Sequence, residues 1–167
     1  MDIRITDNLR AVGTLERLAA ADVRRVVTSF RDALRAHQDT VNRLNVYPVP
    51  DGDTGTNMAL TLESVVTELA SAGTDMAGVC KAISHGSLMG ARGNSGVILS
   101  QILRGLSTTF AECETCDAAR LADGLVAAAA GAYTAVMRPV EGTILTVARE
   151  LSEAAKAMAG NGASLVE

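Results

Sequence analysis

Apolar positions recur at three- and four-residue steps through most of this chain. From Val23 they continue through Val26, Val27, Phe30, Leu34, Val41 and Leu44, one stripe of a long amphipathic helix that ends near Asn45, where Pro48 and Pro50 forbid continuation. A second helix starts at Thr54–Thr56, where hydroxyl and amide side chains can cap it. It runs through Met58, Leu60, Leu62, Val65, Val66 and Leu69 to the Ser71-Ala72-Gly73 stop. A third is predicted over Met76–Met89 and a fourth from Ser95 or Gly96 to Ala111. Asp117 caps a fifth, Ala-rich helix reaching Met137, whose small side chains permit close approach of a neighbour. A sixth follows Thr143 to about Ala159, before Gly160-Asn161-Gly162. Period-two alternation is nowhere sustained, so the expectation is one all-α domain over residues 1–167, with its unusual residues gathered in the inter-helix loops.

Composition sharpens that picture. Aromatic residues make up 2% of the 167 residues against 48% hydrophobic, so the core must be aliphatic. With so few stacking platforms and a net charge of -4, nucleic acid is set aside as a main partner. The longest nearly uncharged apolar stretch, Gly124 to Met137, is shorter than the roughly 18 residues of a membrane span, and no hydrophobic signal region follows Met1-Asp2-Ile3-Arg4. No transmembrane segment and a cytoplasmic location are the expectation. Cys113-Glu114-Thr115-Cys116 has no second such pair and no nearby His to complete a zinc site, so with Cys80 it reads as reduced, structural thiols. His37 and His85 read as helix-face residues, and Met58, Met76, Met89, Met137 and Met158 as core, with one of them free to line a base pocket.

Three loops carry candidate chemistry. In the first, Asn45 to Asn57, Asp51 and Asp53 flank Gly52, so both carboxylates can turn toward one hard cation; the alternative is a solvated Pro-Asp-Gly turn with a capping Asp or Thr. An EF-hand is excluded, because the sixth position counted from Asp51 is Thr56 and the twelfth is Leu62. The second loop spaces Gly90, Gly93 and Gly96 ahead of a helix, either as a glycine-lined connection or as an anion site to which Ser95 adds a hydroxyl and Arg92 a charge. It is neither a Walker loop nor a dinucleotide fingerprint, since no Lys-Ser/Thr follows and no strand precedes it, and Val97 excludes a nucleophile elbow. The third, Pro139 to Thr143, brings Gly142 and Thr143 to a helix start. Two carboxylates, a glycine loop at one helix N-terminus and a Thr at another are the parts needed to hold a Mg²⁺-nucleotide without a Walker motif.

At these residues the chain resembles the nucleotide-binding domain of the dihydroxyacetone kinase family (the DhaL type), and within it the N-terminal domain of bacterial fatty acid kinases. The resemblance is carried by Leu44 to Met58, by Gly90 to Gln101 and by Pro139 to Leu145, and it covers nearly the whole chain. It implies a barrel of antiparallel amphipathic helices binding ATP at one rim. Asp51 and Asp53 are then Mg²⁺ ligands, and Asn45 stands where dihydroxyacetone kinases carry a third Asp. Gly93, Asn94, Ser95 and Gly96 are implied at the phosphates and Thr143 near the nucleotide, with Thr56 and Asn57 on the same rim. The resemblance further implies phosphoryl transfer to a fatty acid carboxylate presented by a separate lipid-binding protein. The alternatives are a dihydroxyacetone kinase subunit or a non-catalytic helical interaction module. No general base is assigned, and the choice between monomer and homodimer stays open. Compared with the family pattern, the chain stops one or two helices early, which reads as an N-terminal piece of a longer kinase.

Overall fold

The computed structural model describes residues 15–165. Met1–Arg4 and Glu167, on which the expectations about a leader and about missing helices rest, lie outside the described residues. Six helices are present among them: α1 (Ala20–Leu44), α2 (Thr54–Leu69), α3 (Met76–Gly90), α4 (Gly93–Phe110), α5 (Ala118–Thr134) and α6 (Ile144–Gly160). All six fall where the hydrophobic periodicity puts them, with end shifts of a few residues. α4 begins at Gly93 rather than Ser95, and α5 stops at Thr134 rather than Met137. The expected cap at α5 forms, Asp117 accepting from the Arg120 N–H at 2.9 Å, whereas α2 begins after Asp53 with no side-chain cap from Thr54–Thr56; at α6 Thr143 accepts from the Leu145 N–H at 3.2 Å. Asp75 does the same for α3, accepting from Gly78 N–H at 2.8 Å.

Two very short strands, which the periodicity did not announce, form one antiparallel pair: β1 (Leu18–Ala19) and β2 (Thr115–Cys116), with Leu18 opposite Cys116 and Ala19 opposite Thr115. Arg17 reinforces the pair by donating from Nη2 to the Thr115 carbonyl at 3.2 Å.

Each helix packs on the next, and α2 also meets α4, which makes these two the central elements. Leu62 and Val65 of α2 are wholly buried, together with Val79 of α3 and, nearly so, Leu99 of α4. Burying each such side chain is worth about 1.5–3 kcal/mol. Phe110 is the aromatic member of this otherwise aliphatic core. The Ala-rich face of α5 allows the close approach expected of it: a Cβ placed on Gly105 of α4 would lie 2.5 Å from the backbone nitrogen of Ala128. No helix among the described residues is long and apolar enough to cross a membrane.

The α1 stripe is only partly core. Val23, Val27 and Leu34 are buried, whereas Val26 and Leu44 are 60% and 73% exposed and Phe30 is near the surface. α1 packs chiefly on α2, so it can bury one narrow seam rather than a broad face. Likewise Met58 and Met76 are core, but Met89, Met137 and Met158 are exposed, contrary to expectation. α6 packs on α5 and has no comparable contact with α1, which leaves Val147 and Leu151 on its outer side exposed.

Candidate functional site

A cavity of about 820 Å³ opens at the rim where α1 and α5 end and where α2, α4 and α6 begin. This is within the range of about 300–1,000 Å³ that small-molecule sites occupy. All three loops contribute to its wall. Asn45, Asp51, Asp53 and Thr54 come from the first, Asn94 and Ser95 from the second, and Arg138, Val140 and Thr143 from the third. The alternating helix directions cause this convergence, since short connections return each helix to the end its predecessor left.

The convergence has an electrostatic consequence. Three helices direct their N-termini at one cavity, each presenting unpaired N–H groups and the positive end of its dipole. Arg92 and Asp53, the residues flanking the starts of α4 and α2, cap with no side-chain hydrogen bond; in α2 the Thr56 N–H goes to Asn42 Oδ1, and the other first-turn N–H groups are left to a ligand or to water. Such a cavity favours an anion with several oxygens. Val41, Leu44, Val97, Ile98 and Met137 add apolar wall to the same cavity, able to take a flat ring.

The acidic loop is shaped by Gly52, whose φ of +65° lies in the left-handed region and turns the chain between Asp51 and Asp53. Asn45 Nδ2 donates to Asp51 Oδ1, which ties the end of α1 to the tip of the loop. Among the described residues no three His, Cys, Asp or Glu side chains gather as a metal cage. The donor set is instead two carboxylates and an amide on the cavity wall. That suits Mg²⁺, a hard cation that keeps few protein carboxylates and completes its shell with water and phosphate oxygens.

The remaining candidates stand behind the wall. Gly93, Gly96, Thr56 and Asn57 do not line the cavity. A Cβ on Gly90, Gly93 or Gly96 would lie 2.2 Å from Ser64 Cβ, 2.3 Å from Asn57 Nδ2 or 2.6 Å from Thr61 Oγ1 respectively. The glycine spacing therefore lets the α3–α4 connection lie against α2, while Asn94 and Ser95 between the glycines face the cavity. Thr56 accepts from Asn42 Nδ2 at 2.9 Å and from Gln38 Nε2 at 3.2 Å, joining α2 to α1. The wholly buried Thr61 donates to the Asn57 carbonyl at 2.7 Å and accepts from the Arg92 N–H at 3.3 Å, so it sets where α4 starts. Arg92 itself bonds the neighbouring Ala91 carbonyl and lies off the cavity wall.

Sequence reasoning missed Thr61, Asn42 and Arg138. Arg138 is the cation on the wall and stands at the head of the third loop, immediately before Pro139. That loop is braced by Glu141, which accepts from Thr146 Oγ1 at 2.7 Å and Tyr133 Oη at 2.8 Å and pairs with Arg149 at 3.3 Å. The hydrogen bonds from Thr146 and Tyr133 hold the Glu141 carboxyl below the usual carboxylate range.

A family model described as the DAK2 domain matches residues 48–167. An uncharacterised protein of Staphylococcus saprophyticus is 53% identical over 126 residues, covering 73% of this chain and 22% of that protein. The YloV protein of Bacillus subtilis is 50% identical over 127 residues, 75% of this chain and 23% of its own length. An uncharacterised protein of Staphylococcus aureus is 47% identical over 135 residues, 80% of this chain and 25% of its own. The chain thus spans about a quarter of the length of the curated relatives it matches.

Proposed function

The chain belongs to the DAK2-domain family, and from that premise we propose that it is the Mg²⁺-ATP-binding part of an ATP-dependent phosphotransferase. The carrying observation is the meeting of three helix N-termini and an acidic loop on one cavity with an apolar wall. In this reading Asp51 and Asp53, with the Asn45 amide, hold Mg²⁺. Ser95, Asn94 and the first-turn N–H groups of α4 receive the phosphates, with Thr143 beside them near the nucleotide, and Arg138 neutralises the outermost one. Gly93, Gly96, Thr56 and Asn57 position that wall from behind. Mg²⁺ when bound neutralises charge on the transferring phosphoryl group; the chain's own part is alignment and preorganised N–H donors.

The acceptor we propose is a fatty acid carboxylate, brought by a separate lipid-binding protein and converted to an acyl phosphate. Asn45 supports this over dihydroxyacetone, because it removes one of the carboxylates that a dihydroxyacetone kinase carries at that place. An acceptor that is already ionised also needs no general base, and the cavity wall offers no His. A cytoplasmic setting, where ATP and Mg²⁺ are available, fits this reading.

Calorimetric titration with ATP tests it. Heat of binding should require Mg²⁺ and disappear in Asp51→Ala and Asp53→Ala; affinity unchanged in both variants would sink the metal assignment, and no binding by the unaltered chain would favour a non-catalytic helical module. Turnover with a fatty acid on its carrier, compared with dihydroxyacetone, separates the two acceptors.

A further inference from the structure

Far from the cavity, at the opposite end of α5, three thiols come together where β2 meets the core. Cys113 Sγ lies 3.5 Å from Cys116 Sγ, and its S–H also reaches the Phe110 carbonyl at 3.3 Å. Cys116 is completely buried and Cys80 is 1% exposed, whereas Cys113 is partly open to solvent. α5 has 17 residues, so this cluster and the cavity lie on the order of 25 Å apart along the helix. Nothing in the phosphotransferase reading uses it.

We propose that Cys113 and Cys116 form a thiol–disulfide exchange site that closes to an intramolecular disulfide on contact with a small-molecule disulfide. The sulfurs need to approach from 3.5 Å to about 2.05 Å, a shift a four-residue turn can absorb by side-chain rotation. Cys113 is the entry point because it is the thiol of the three that solvent reaches. Its thiolate attacks one sulfur of the small disulfide RSSR, forming a Cys113–SR mixed disulfide and releasing RS⁻. The Cys116 sulfur, giving up its proton, then attacks Cys113 Sγ and expels the second RS⁻. Two protein thiols are thereby oxidised to one disulfide, and one RSSR is reduced to two RSH once the released protons are taken up.

The surroundings bear on the direction of this equilibrium. Burial pushes the Cys116 thiol up to about 12 and Cys80 up to about 11. Strongly oxidising dithiol pairs are those whose reduced form is stabilised as thiolate. Arg120 favours the Cys116 thiolate, but burial outweighs it, so the closed disulfide resists reduction once made. Because the folded chain already holds the two sulfurs together, closing the bond must in return strengthen the fold around β2.

Oxidised glutathione is the probe. After incubation, alkylation of remaining thiols and tryptic digestion, the Gly105–Arg120 peptide should carry an internal disulfide while Cys80, on a different peptide, is alkylated. Cys116→Ala should arrest the reaction as a glutathione adduct on Cys113, and Cys113→Ala should abolish it. In a glutathione redox titration the equilibrium constant for closure should be at least about tenfold larger in the folded chain than in denaturant, with a matching rise in thermal midpoint of the oxidised protein. A persistent glutathione adduct on Cys113 of the unaltered chain, a Cys80-linked peptide pair, or an equilibrium constant no larger when folded would overturn the proposal. The unaltered protein alone gives the first and last of these readings, so they stand even if a variant folds poorly.

Discussion

Asn42 and Thr56 bind each other twice: Asn42 Nδ2 donates to Thr56 Oγ1 at 2.9 Å, and the Thr56 backbone N–H donates to Asn42 Oδ1 at 3.1 Å. The second bond satisfies one of the orphan donors in the first turn of α2, and it comes from a neighbouring helix rather than from a local cap. Gly55 makes the pairing reachable, since a Cβ there would lie 2.3 Å from the Gln38 carbonyl oxygen. The pair therefore fixes where the acidic loop rejoins the helix bundle. Asn42→Ala should cost about 1–3 kcal/mol, because it leaves the half-buried Thr56 N–H without a bond, while Thr56 Oγ1 keeps Gln38. Chemical denaturation checks this; a loss below a few tenths would mean that water replaces Asn42 freely.

Gly90 tests the packing role of the glycine spacing. Gly90→Ala would set a methyl 2.2 Å from Ser64 Cβ, and overpacking of that kind typically costs about 1–3 kcal/mol. Removing the obstacle with Ser64→Gly in the same chain should recover part of the loss, and the coupling energy from the double-mutant cycle measures the contact. Strict additivity would show that the two residues do not touch in solution.

The caps of α1 and α5 predict the acid limb of stability. The Ala19 N–H holds Asp22, and the Arg120 N–H holds Asp117, below the usual carboxylate range. A carboxyl depressed in the folded state contributes stability above its unfolded value of about 3.9, and that contribution is lost as pH falls through the folded value. Asp117→Asn keeps an amide oxygen as cap acceptor but removes the charge. Its thermal midpoint should therefore lie below that of the unaltered chain near neutrality and converge with it at pH about 2 to 3. A gap that persists at low pH would assign the effect to the cap geometry instead.

Arg138 and Thr143 separate charge from alignment in the proposed nucleotide site. Arg138→Ala should weaken Mg²⁺-ATP binding by about tenfold, with a loss that shrinks as salt is raised, because an exposed cation on phosphate is screened. Thr143→Ala removes the α6 cap as well as the hydroxyl on the cavity wall, so it should reduce both ligand affinity and unfolding free energy, the latter by about 1 kcal/mol. Calorimetry at two salt concentrations, with denaturation of the same samples, distinguishes the two patterns.

How far the sequence alone reaches can be judged from particular residues. Helix positions were legible because the 3.6-residue period, Pro48 and Pro50, and caps such as Asp117 are local signals. The depth of α1 was not: Val26 and Phe30 share its apolar stripe, but whether a stripe is covered depends on how many neighbours the helix has. The β1–β2 pair was invisible because two-residue strands have no period to detect. Around the candidate site, the loops could be named but not assembled. Glycine spacing alone does not say which way the backbone turns, so Asn94 and Ser95 on the cavity wall could not be told apart from Gly93 and Gly96, which pack against α2. Nothing local in the sequence marks Thr61, because the Arg92 N–H that its hydroxyl holds lies 31 residues away.

The small clasp between Leu18 and Cys116 joins segments 98 residues apart, with four helices between them. Closing so long a loop carries an entropic cost that two strand residues and the exposed Arg17 contacts with Thr115 and Asp117 cannot meet alone. The clasp therefore forms late in folding, after α1 to α4 have associated and shortened the effective distance. It is a high-contact-order element in a domain otherwise built mostly from sequential neighbours. Amide exchange at Leu18 would then report how often this clasp alone lets go, at a free energy below that of opening the helices it spans.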